Sequence, residues 1–492
     1  MPRRSAYILV VVLALGSLWA EAQVPARPNI IYILADDLGY GDLGAYGQTK
    51  IRTPHLDRLA AEGMRFTQHY SGSPVCAPSR ATLLTGLHTG HTLVRDNYEL
   101  GGFHDDEERG QLPLEPGTET IGTMLQAAGY VTAAIGKWGL GGPGSTGVPN
   151  KQGFDFFYGY LDQKQAHNYY PTHLWRNTVW DTLRNAYVYP HQRLDAAPDD
   201  PAAYDRFKGL DYAPDLMTAE ALQFIRTHQD EAFFLYLAYP IPHVALQVPD
   251  EELDAYDFEE TPYLGQDGYL PHPRPRAAYA AMVSRMDRYV GQIRALLDEL
   301  DLGERTLILF SSDNGPTFNG GTDSAFFQSA GPFRGLKTEL YEGGIRVPLI
   351  AWWPGVIEPG TTTDYLSAFW DVLPTLADVA GVSPPGGTDG LSFWPTLVGE
   401  DEAQQRHAYL YWEYHNRWGG AQAVRMGRWK AVRLGVHTDP DAPIALYDLA
   451  ADIAETHDVA ARHPDVVRRI RSIMDEAHTP PVLDLWKLAS DP

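Results

Sequence analysis

Cysteine is almost absent from this 492-residue chain, which has one, Cys76. A lone thiol excludes an intramolecular disulfide and any cysteine-rich zinc or iron–sulfur centre. If Cys76 matters, it matters as chemistry. Basic residues are also scarce: 39 Lys and Arg stand against 63 Asp and Glu, a net charge of −24. That balance excludes the basic face a nucleic-acid binder needs. It also repels anions at long range, so an anion site here must concentrate positive charge locally. No apolar run is long enough for a membrane anchor. No repeat with a period of roughly 20–50 residues is present.

What is there is a core. Hydrophobic residues make up 44% of the chain and include 12 Trp, which argues against disorder. The length suits about three domains, or one large domain with an appendage. Residues 1–22 read as a secretory signal peptide. Arg3 and Arg4 form the positive end, Ala6 to Leu15 the apolar stretch, and Ala20-Glu21-Ala22 the cleavage pattern. Without a cysteine near that site, a lipid anchor is excluded. An exported chain without disulfides suits a bacterial periplasm or the surrounding medium better than a eukaryotic secretory route.

Four apolar runs read as buried strands: Asn29 to Leu34, Tyr130 to Ile135, Ala232 to Ala238 and Thr306 to Phe310. Helical patterns lie between them, at His55 to Glu62, Ser79 to Leu84, Ile121 to Ala128, Pro214 to His228 and Ala277 to Leu300. This alternation predicts an α/β fold with a largely parallel sheet flanked by helices. Beyond Pro384-Pro385-Gly386-Gly387 the character changes to short segments, Ala408 to Tyr414 and Arg428 to Val432, and then a helical tail from Pro464 to Ala477. The expected organisation is a catalytic domain over 23–385 and a smaller C-terminal α+β subdomain over 386–492.

Sites in open parallel sheets form beyond the carboxyl ends of the strands. The four runs are followed by Asp36-Asp37, by Gly136-Lys137, by Tyr239 through His243, and by Asp313-Asn314. Either acidic pair alone reads as a turn or a helix cap. Two pairs at strand ends point instead to a metal, and an all-oxygen donor set suits Ca²⁺ or Mg²⁺ better than zinc. Cys76 lies in Ser73-Pro74-Val75-Cys76-Ala77-Pro78-Ser79-Arg80, where Pro78 and Ser79 favour a first helical turn. The thiol would then sit at a helix N-terminus with Arg80 returning beside it. A buried small hydrophobe and a low-pKa thiolate are the other readings of such a cysteine.

These blocks resemble the type I, formylglycine-dependent sulfatases of the alkaline-phosphatase-like superfamily. Cys76-Ala77-Pro78-Ser79-Arg80 is similar to the family's C-x-P-S-R signature, continued by Leu84-Thr85-Gly86. Gly129 to Lys137 is similar to the second signature. Pro28 to Gly39, Ser312 to Gly315, Gly335-Leu336-Lys337, Glu342 to Pro348, Asp371 to Thr375 and Leu446 to Leu449 resemble further blocks in the family's order. The likeness thus spans nearly all of the chain after the leader.

The resemblance implies sulfate-ester hydrolysis of carbohydrate or aryl sulfates, on an alkaline-phosphatase-like core with a small antiparallel C-terminal sheet. It implies that a maturation enzyme oxidises Cys76 to formylglycine, whose hydrate is the nucleophile. It implies one Ca²⁺ held by Asp36, Asp37, Asp313, Asn314 and residue 76. Arg80 and Lys137 would stabilise the nucleophile, while Lys137, His243 and Lys337 would hold the sulfate and assist the leaving group. One departure stands out. The second signature usually continues Lys-x-His, whereas here it reads Lys137-Trp138-Gly139. That histidine would help expel sulfate, and Gln163 and His167 are the candidates to replace it. The lost histidine also suggests a non-catalytic binder of sulfated glycans, and the related core admits a phosphomonoester or phosphonate-ester hydrolase.

Other residues have plainer readings. His88 and His91 read as loop histidines. Tyr169, Tyr170, Trp175 and Trp180 suit either a sugar-stacking wall or a core. Glu107-Glu108 reads as a solvated loop, and Tyr411 to Tyr414 as a segment approaching the site's mouth.

Overall fold

The computed structural model describes residues 27–198 and 201–492, so the leader expected over 1–22 lies outside the described residues. Strands β1 (Asn29–Asp36), β2 (Met64–Tyr70), β3 (Val131–Lys137), β4 (Phe156–Tyr160), β5 (His173–Arg176), β6 (Val179–Thr182), β7 (Phe233–Pro242), β8 (Thr306–Ser312), β9 (Arg346–Trp352), β10 (Thr361–Thr363) and β11 (Ser367–Ala368) form one sheet. Its order is β10-β2-β9-β8-β1-β7-β3-β4-β5-β6, with β11 beside β2. The five strands β8-β1-β7-β3-β4 are mutually parallel. Toward one margin β9 runs antiparallel to both β8 and β2, and at the other β5 and β6 form an antiparallel hairpin. The expected largely parallel sheet is therefore parallel at its centre and mixed at its edges.

The apolar runs form the central strands because both faces are covered. Helices α1 (Pro54–Ala61), α2 (Cys76–Thr85), α3 (Ile121–Ala127), α4 (Ala213–Thr227) and α5 (Pro275–Glu299) pack on the sheet. Along β1, Ile31 and Ile33 face α1, α4 and α5, while Ile30, Tyr32 and Leu34 face α2, α3 and the helix Val372–Ala380. Each Ile or Leu buried in this way contributes roughly 1.5–3 kcal/mol. Pro54 and Pro275 open α1 and α5 at a position where a missing N–H costs nothing. Two central strands run further than their apolar runs suggest. β3 continues through Gly136 to Lys137, still paired with β4, and β7 through Tyr239 to Pro242, where it pairs with Asp36 of β1.

A separate antiparallel sheet follows in sequence order, β12 (Leu410–Tyr414), β13 (Ala421–Met426), β14 (Trp429–Leu434) and β15 (Ile444–Asp448). Tyr411, Val424 and Leu446 on one face pack on the helix Pro464–Ala477. Trp412, Ala423 and Val432 on the other face pack against Tyr70, Ile345 and Trp370 of the large domain. Among the described residues no helix is long and apolar enough to cross a membrane.

Candidate active site

The ends of β8, β1, β7 and β3 lie side by side because those strands are consecutive neighbours. β1 delivers Asp36 and then Asp37, whose φ of 66° lies in the left-handed region that Asp tolerates. β8 leads into Asp313 and Asn314, β3 ends on Lys137, and the chain leaving β7 supplies His243. Cys76 is the first residue of α2. That helix has no side-chain cap of its own; instead the Ala77 N–H donates to Asn97 Oδ1 at 2.8 Å. Lys337 arrives on a loop fixed by its own N–H, which donates to Pro316 O at 2.9 Å.

These residues converge on the sulfur. Cys76 Sγ lies 3.4 Å from Asp36 Oδ1, 3.4 Å from Lys137 Nζ and 3.6 Å from Lys337 Nζ. Lys137 Nζ donates to Asp36 Oδ2 at 2.5 Å, and Lys337 Nζ to Asp37 Oδ2 at 2.8 Å. Arg80 donates to Asp313 Oδ2 through Nε at 3.1 Å and Nη2 at 2.8 Å, and to Lys137 O through Nη1 at 2.5 Å. One guanidinium thus ties α2 to β3 and to the end of β8. Asp313 Oδ1 accepts the Asp37 N–H at 3.1 Å, and Asn314 Nδ2 donates to Asp37 Oδ1 at 2.7 Å. His243 Nδ1 lies 2.5 Å from Val244 O, which assigns the proton to Nδ1 and leaves Nε2 with a lone pair, 3.7 Å from Asp37 Oδ2.

Burial alone would raise the Asp36 carboxyl, but Lys137, His243, Arg80 and Lys337 together hold it far below the carboxylate range. Burial opposes the charge on Lys137 and Lys337 as well. Asp36 and Asp37 reverse that effect, so both amines stay protonated. Burial, and then the Lys337 charge, press His243 down to about 4, leaving a neutral imidazole. Burial, and then Asp36, push the Cys76 thiol up to about 12. The low-pKa thiolate suggested by a helix N-terminus is therefore not what this setting favours: a buried sulfur beside a carboxylate keeps its proton.

The oxygen donors of the site fit a hard cation. Asp36, Asp37, Cys76 and His243 offer ligand atoms within 4.8 Å of one another. Asn314 Oδ1 is buried at the same strand end without a partner, a spare oxygen where a ligand atom is needed. Asp313 is more committed than a free ligand, since it also serves Arg80 and the Asp37 N–H. A second cluster, His88, His91 and Asp389, has the spacing of a metal site but the wrong protonation. The Gly90 N–H donates to His88 Nδ1 at 3.1 Å, so the neutral ring carries its proton on Nε2 and has no lone pair to give. Asp389 accepts from the His88 N–H at 2.9 Å and pairs with His91 Nδ1 at 2.8 Å, so these histidines pin a loop.

Gln163 and His167 line the same cavity of about 250 Å³ as Cys76, Lys137, His243 and Lys337. The His167 ring stacks on His243 with centroids 4.9 Å apart, and its Nδ1 lies 3.4 Å from His191 Nε2. Of the segment Tyr411 to Tyr414, only Tyr414 reaches the cavity; Trp412 and Tyr411 are core residues. The aromatic wall does not form. Tyr169 is buried, and its hydroxyl donates to His243 O at 2.7 Å, bracing that loop. Tyr170 is likewise in the core, and neither Trp175 nor Trp180 lines the cavity. Glu108 is not solvated, because it accepts from Trp175 Nε1 at 2.9 Å and pairs with His173. Sequence reasoning missed Asn97, Glu99, Tyr269, Asn319 and Asn416, which line the cavity from loops without any local pattern. Burial, and then the Asp162 charge, raise Glu99 to about 8.

The chain matches the Sulfatase family model over residues 28–382 and the model for the C-terminal region of N-sulphoglucosamine sulphohydrolase over residues 336–479. It is 33% identical to human arylsulfatase A, over 93% of this chain and 89% of that protein. It is 29% identical to an N-acetylgalactosamine-6-O-sulfatase of Bacteroides thetaiotaomicron, over 93% and 94% of the two chains. A crystal structure of Ps i-CgsB in complex with k-i-k-neocarrahexaose superposes with a TM-score of 0.74 at 28% identity, covering 92% of this chain and 93% of that one.

Proposed function

Because the chain belongs to the sulfatase family, we propose that this sulfuric ester hydrolase acts through a formylglycine made from Cys76 and one bound Ca²⁺. Its substrates in this reading are carbohydrate or aryl sulfates, cleaved to alcohol and inorganic sulfate. Residues 23–385 form the catalytic domain and 386–492 the C-terminal subdomain. Export follows loss of a leader at 1–22, to a bacterial periplasm or the medium, without a membrane anchor. The glycan substrate draws support from the relatives' own names, one an N-acetylgalactosamine-6-O-sulfatase and one crystallised with a neocarrahexaose.

One observation carries the reading: residue 76 sits between two ammonium groups, with its sulfur 3.4 Å from Lys137 Nζ and 3.6 Å from Lys337 Nζ. In a chain of net charge −24, this is the concentrated positive charge an anionic ester requires. Asp36, Asp37, Asp313, Asn314 and residue 76 would hold the Ca²⁺, which would supply further positive charge to a reacting anion. The aldehyde hydrate at residue 76 supplies a hydroxyl nucleophile and a second hydroxyl through which the aldehyde is restored.

The side chains divide the remaining work. Arg80 and Lys137 fix the position and charge of residue 76. Lys337, a protonated amine, reaches the sulfate oxygens and is placed to donate a proton to the departing alcohol oxygen. His243 presents a neutral Nε2 to the same space and accepts a hydrogen bond or a proton there. All of these donors stand ready in a buried site, so they stabilise developing charge without reorganising. Gln163, packed against Gly139, and His167, stacked on His243, complete the wall.

The test is the mass of the tryptic peptide Phe66 to Arg80 from protein matured in a host that carries a formylglycine-generating enzyme. The expected mass is that of the aldehyde at residue 76, and an alkylatable thiol in a fully active preparation overturns the mechanism. Paired aryl sulfate and aryl phosphate substrates separate this reading from a phosphomonoester or phosphonate-ester hydrolase. Turnover itself separates it from a glycan-binding protein.

A further inference from the structure

One amide in the cavity is unlike every other. Gln163 is 3% exposed, and both its Nε2 and its Oε1 are buried without a hydrogen-bond partner. Among the described residues no other Asn or Gln is orphaned at both atoms. Burying an amide unpaired is unfavourable, and buried polar groups are otherwise almost always satisfied. An ordered water or a bound molecule would satisfy these two atoms.

The surroundings hold the Gln163 backbone in place. The Gln163 backbone N–H donates to Gln111 Oε1 at 3.1 Å. Gln111 Nε2 in turn donates to Glu99 Oε2 at 2.6 Å and to Asp162 Oδ1 at 3.1 Å. Gly139, two residues after Lys137, has a φ of +82°, and a Cβ built there would lie 2.6 Å from Gln163 Cγ and 2.8 Å from Cδ. The Gln163 side chain therefore fills the volume that a side chain at 139 would take. Glycine at 139 and glutamine at 163 are a matched pair.

We infer that Gln163 is a substrate-contacting residue and that it selects sulfate esters with a free hydroxyl next to the ester. The inference rests on the sulfatase reading and sharpens it. A sulfate group offers only acceptor oxygens, so it meets the amide NH₂ but never the amide carbonyl. A ligand that satisfies both atoms must bring a donor beside the sulfate, as a sugar ring does with its neighbouring hydroxyl. Part of the wall agrees: Asn97, Asn319, Asn416, Thr317 and Thr338 line the cavity with neutral hydrogen-bonding groups suited to hydroxyls.

The experiment uses the matured, full-length enzyme and its Gln163→Met variant, which keeps the shape of the side chain and removes both polar atoms. Two substrates are compared. One is the fastest-cleaved member of a panel of hexopyranose 2-, 3- and 4-sulfates, each with a free hydroxyl on a neighbouring ring carbon. The other is 4-nitrophenyl sulfate, which has no neighbouring hydroxyl. The expected result is a Tm equal to or above that of the wild type, because an unpaired buried amide has been removed. kcat/KM for the hexose sulfate should fall by roughly tenfold or more, while the aryl sulfate changes far less. A lower Tm marks the amide as structural and overturns the inference. Equal losses on both substrates also overturn it, since they place the amide's partner on residue 76 rather than on the sugar. If the matured wild type cleaves neither sulfate, the sulfatase mechanism fails first and the inference falls with it. The Tm comparison still reports on the amide independently.

Discussion

Arg80 concentrates much of the site's organisation in one side chain. Its guanidinium is fully buried, grips Asp313 through two nitrogens and holds the Lys137 carbonyl with a third. A lysine carries the same charge but lacks the planar fork. Arg80→Lys should therefore fold yet misplace both Lys137 and the end of β8. Steady-state kinetics should show kcat reduced by roughly 10²–10³-fold, the loss typical of one preorganised donor. Under the Ca²⁺ assignment, chelation should abolish turnover and added Ca²⁺ should restore it, with Mg²⁺ less effective because it demands a tighter octahedral cage. Recovery with zinc alone would contradict the oxygen-rich donor set. At this scale the chemistry was readable wherever it follows an apolar run. Asp36, Lys137, His243 and Asp313 all sit at strand ends, where sequence position and spatial position coincide. Glu99, Asn97, Tyr269 and Asn319 were not readable, because each reaches the cavity from a loop whose path depends on tertiary packing.

The central strands β1, β3, β7 and β8 were legible for a physical reason: buried on both faces, they are nearly pure apolar runs. β2 and β9 were not. β2 reads Met-Arg-Phe-Thr-Gln-His-Tyr, with polar residues between the apolar ones, and β9 begins with Arg346 and carries Pro348. The strands of the hairpin β5–β6 have only four residues each, and no local signal fixes the partners of β5, β6, β13 or β15. β2 also holds a testable group. His69 is fully buried near the rings of Phe66, Phe369 and Phe393, with Nδ1 2.8 Å from Ser367 Oγ and Nε2 unpartnered. Burial lowers its pKa to about 3. A base whose folded pKa lies below its unfolded value costs nothing above pH 6.5. Below that, the unfolded chain takes up a proton that the folded chain refuses, and stability declines as pH falls toward 3. The slope is about 1.4 kcal/mol per pH unit for one such group. Urea unfolding of His69→Gln at pH 7, 5.5 and 4.5 should show a shallower acid decline than wild type by up to that slope. Parallel declines would assign the acid sensitivity to other groups.

Across the whole molecule, the two sheets are joined by buried charge as well as by apolar contact. Lys430 Nζ on β14 lies 2.9 Å from Glu342 Oε1, both side chains being fully buried. Glu342 also accepts from the Tyr70 hydroxyl at 2.6 Å and from Arg346 Nη1 at 3.2 Å, while its N–H donates to Glu455 Oε2 at 2.7 Å. Removing one member of such a group strands the rest. Lys430→Met should lower unfolding free energy by roughly 3–5 kcal/mol, read by denaturant titration. Since Trp412 and Trp370 pack across the same junction, the two sheets should unfold in a single transition. Two resolved transitions would show instead that the small sheet folds independently. Tyr414 and Asn416 add a functional link, because they bring the C-terminal subdomain to the wall of the cavity. A chain cut at residue 385 should therefore lose substrate affinity even if its remaining core were to fold.

Cys76 is 1% exposed and closed in by Asp36, Lys137 and Lys337. No second protein can reach that sulfur once the fold has closed. Under the proposed maturation, the oxidising enzyme must meet the chain while it is still open, so activity becomes a race between modification and folding. Sequences or conditions that hasten folding should then lower the active fraction without altering the stability of the product. Material that folds first should stay inactive however long the maturation enzyme is supplied, until it is unfolded and given a second chance.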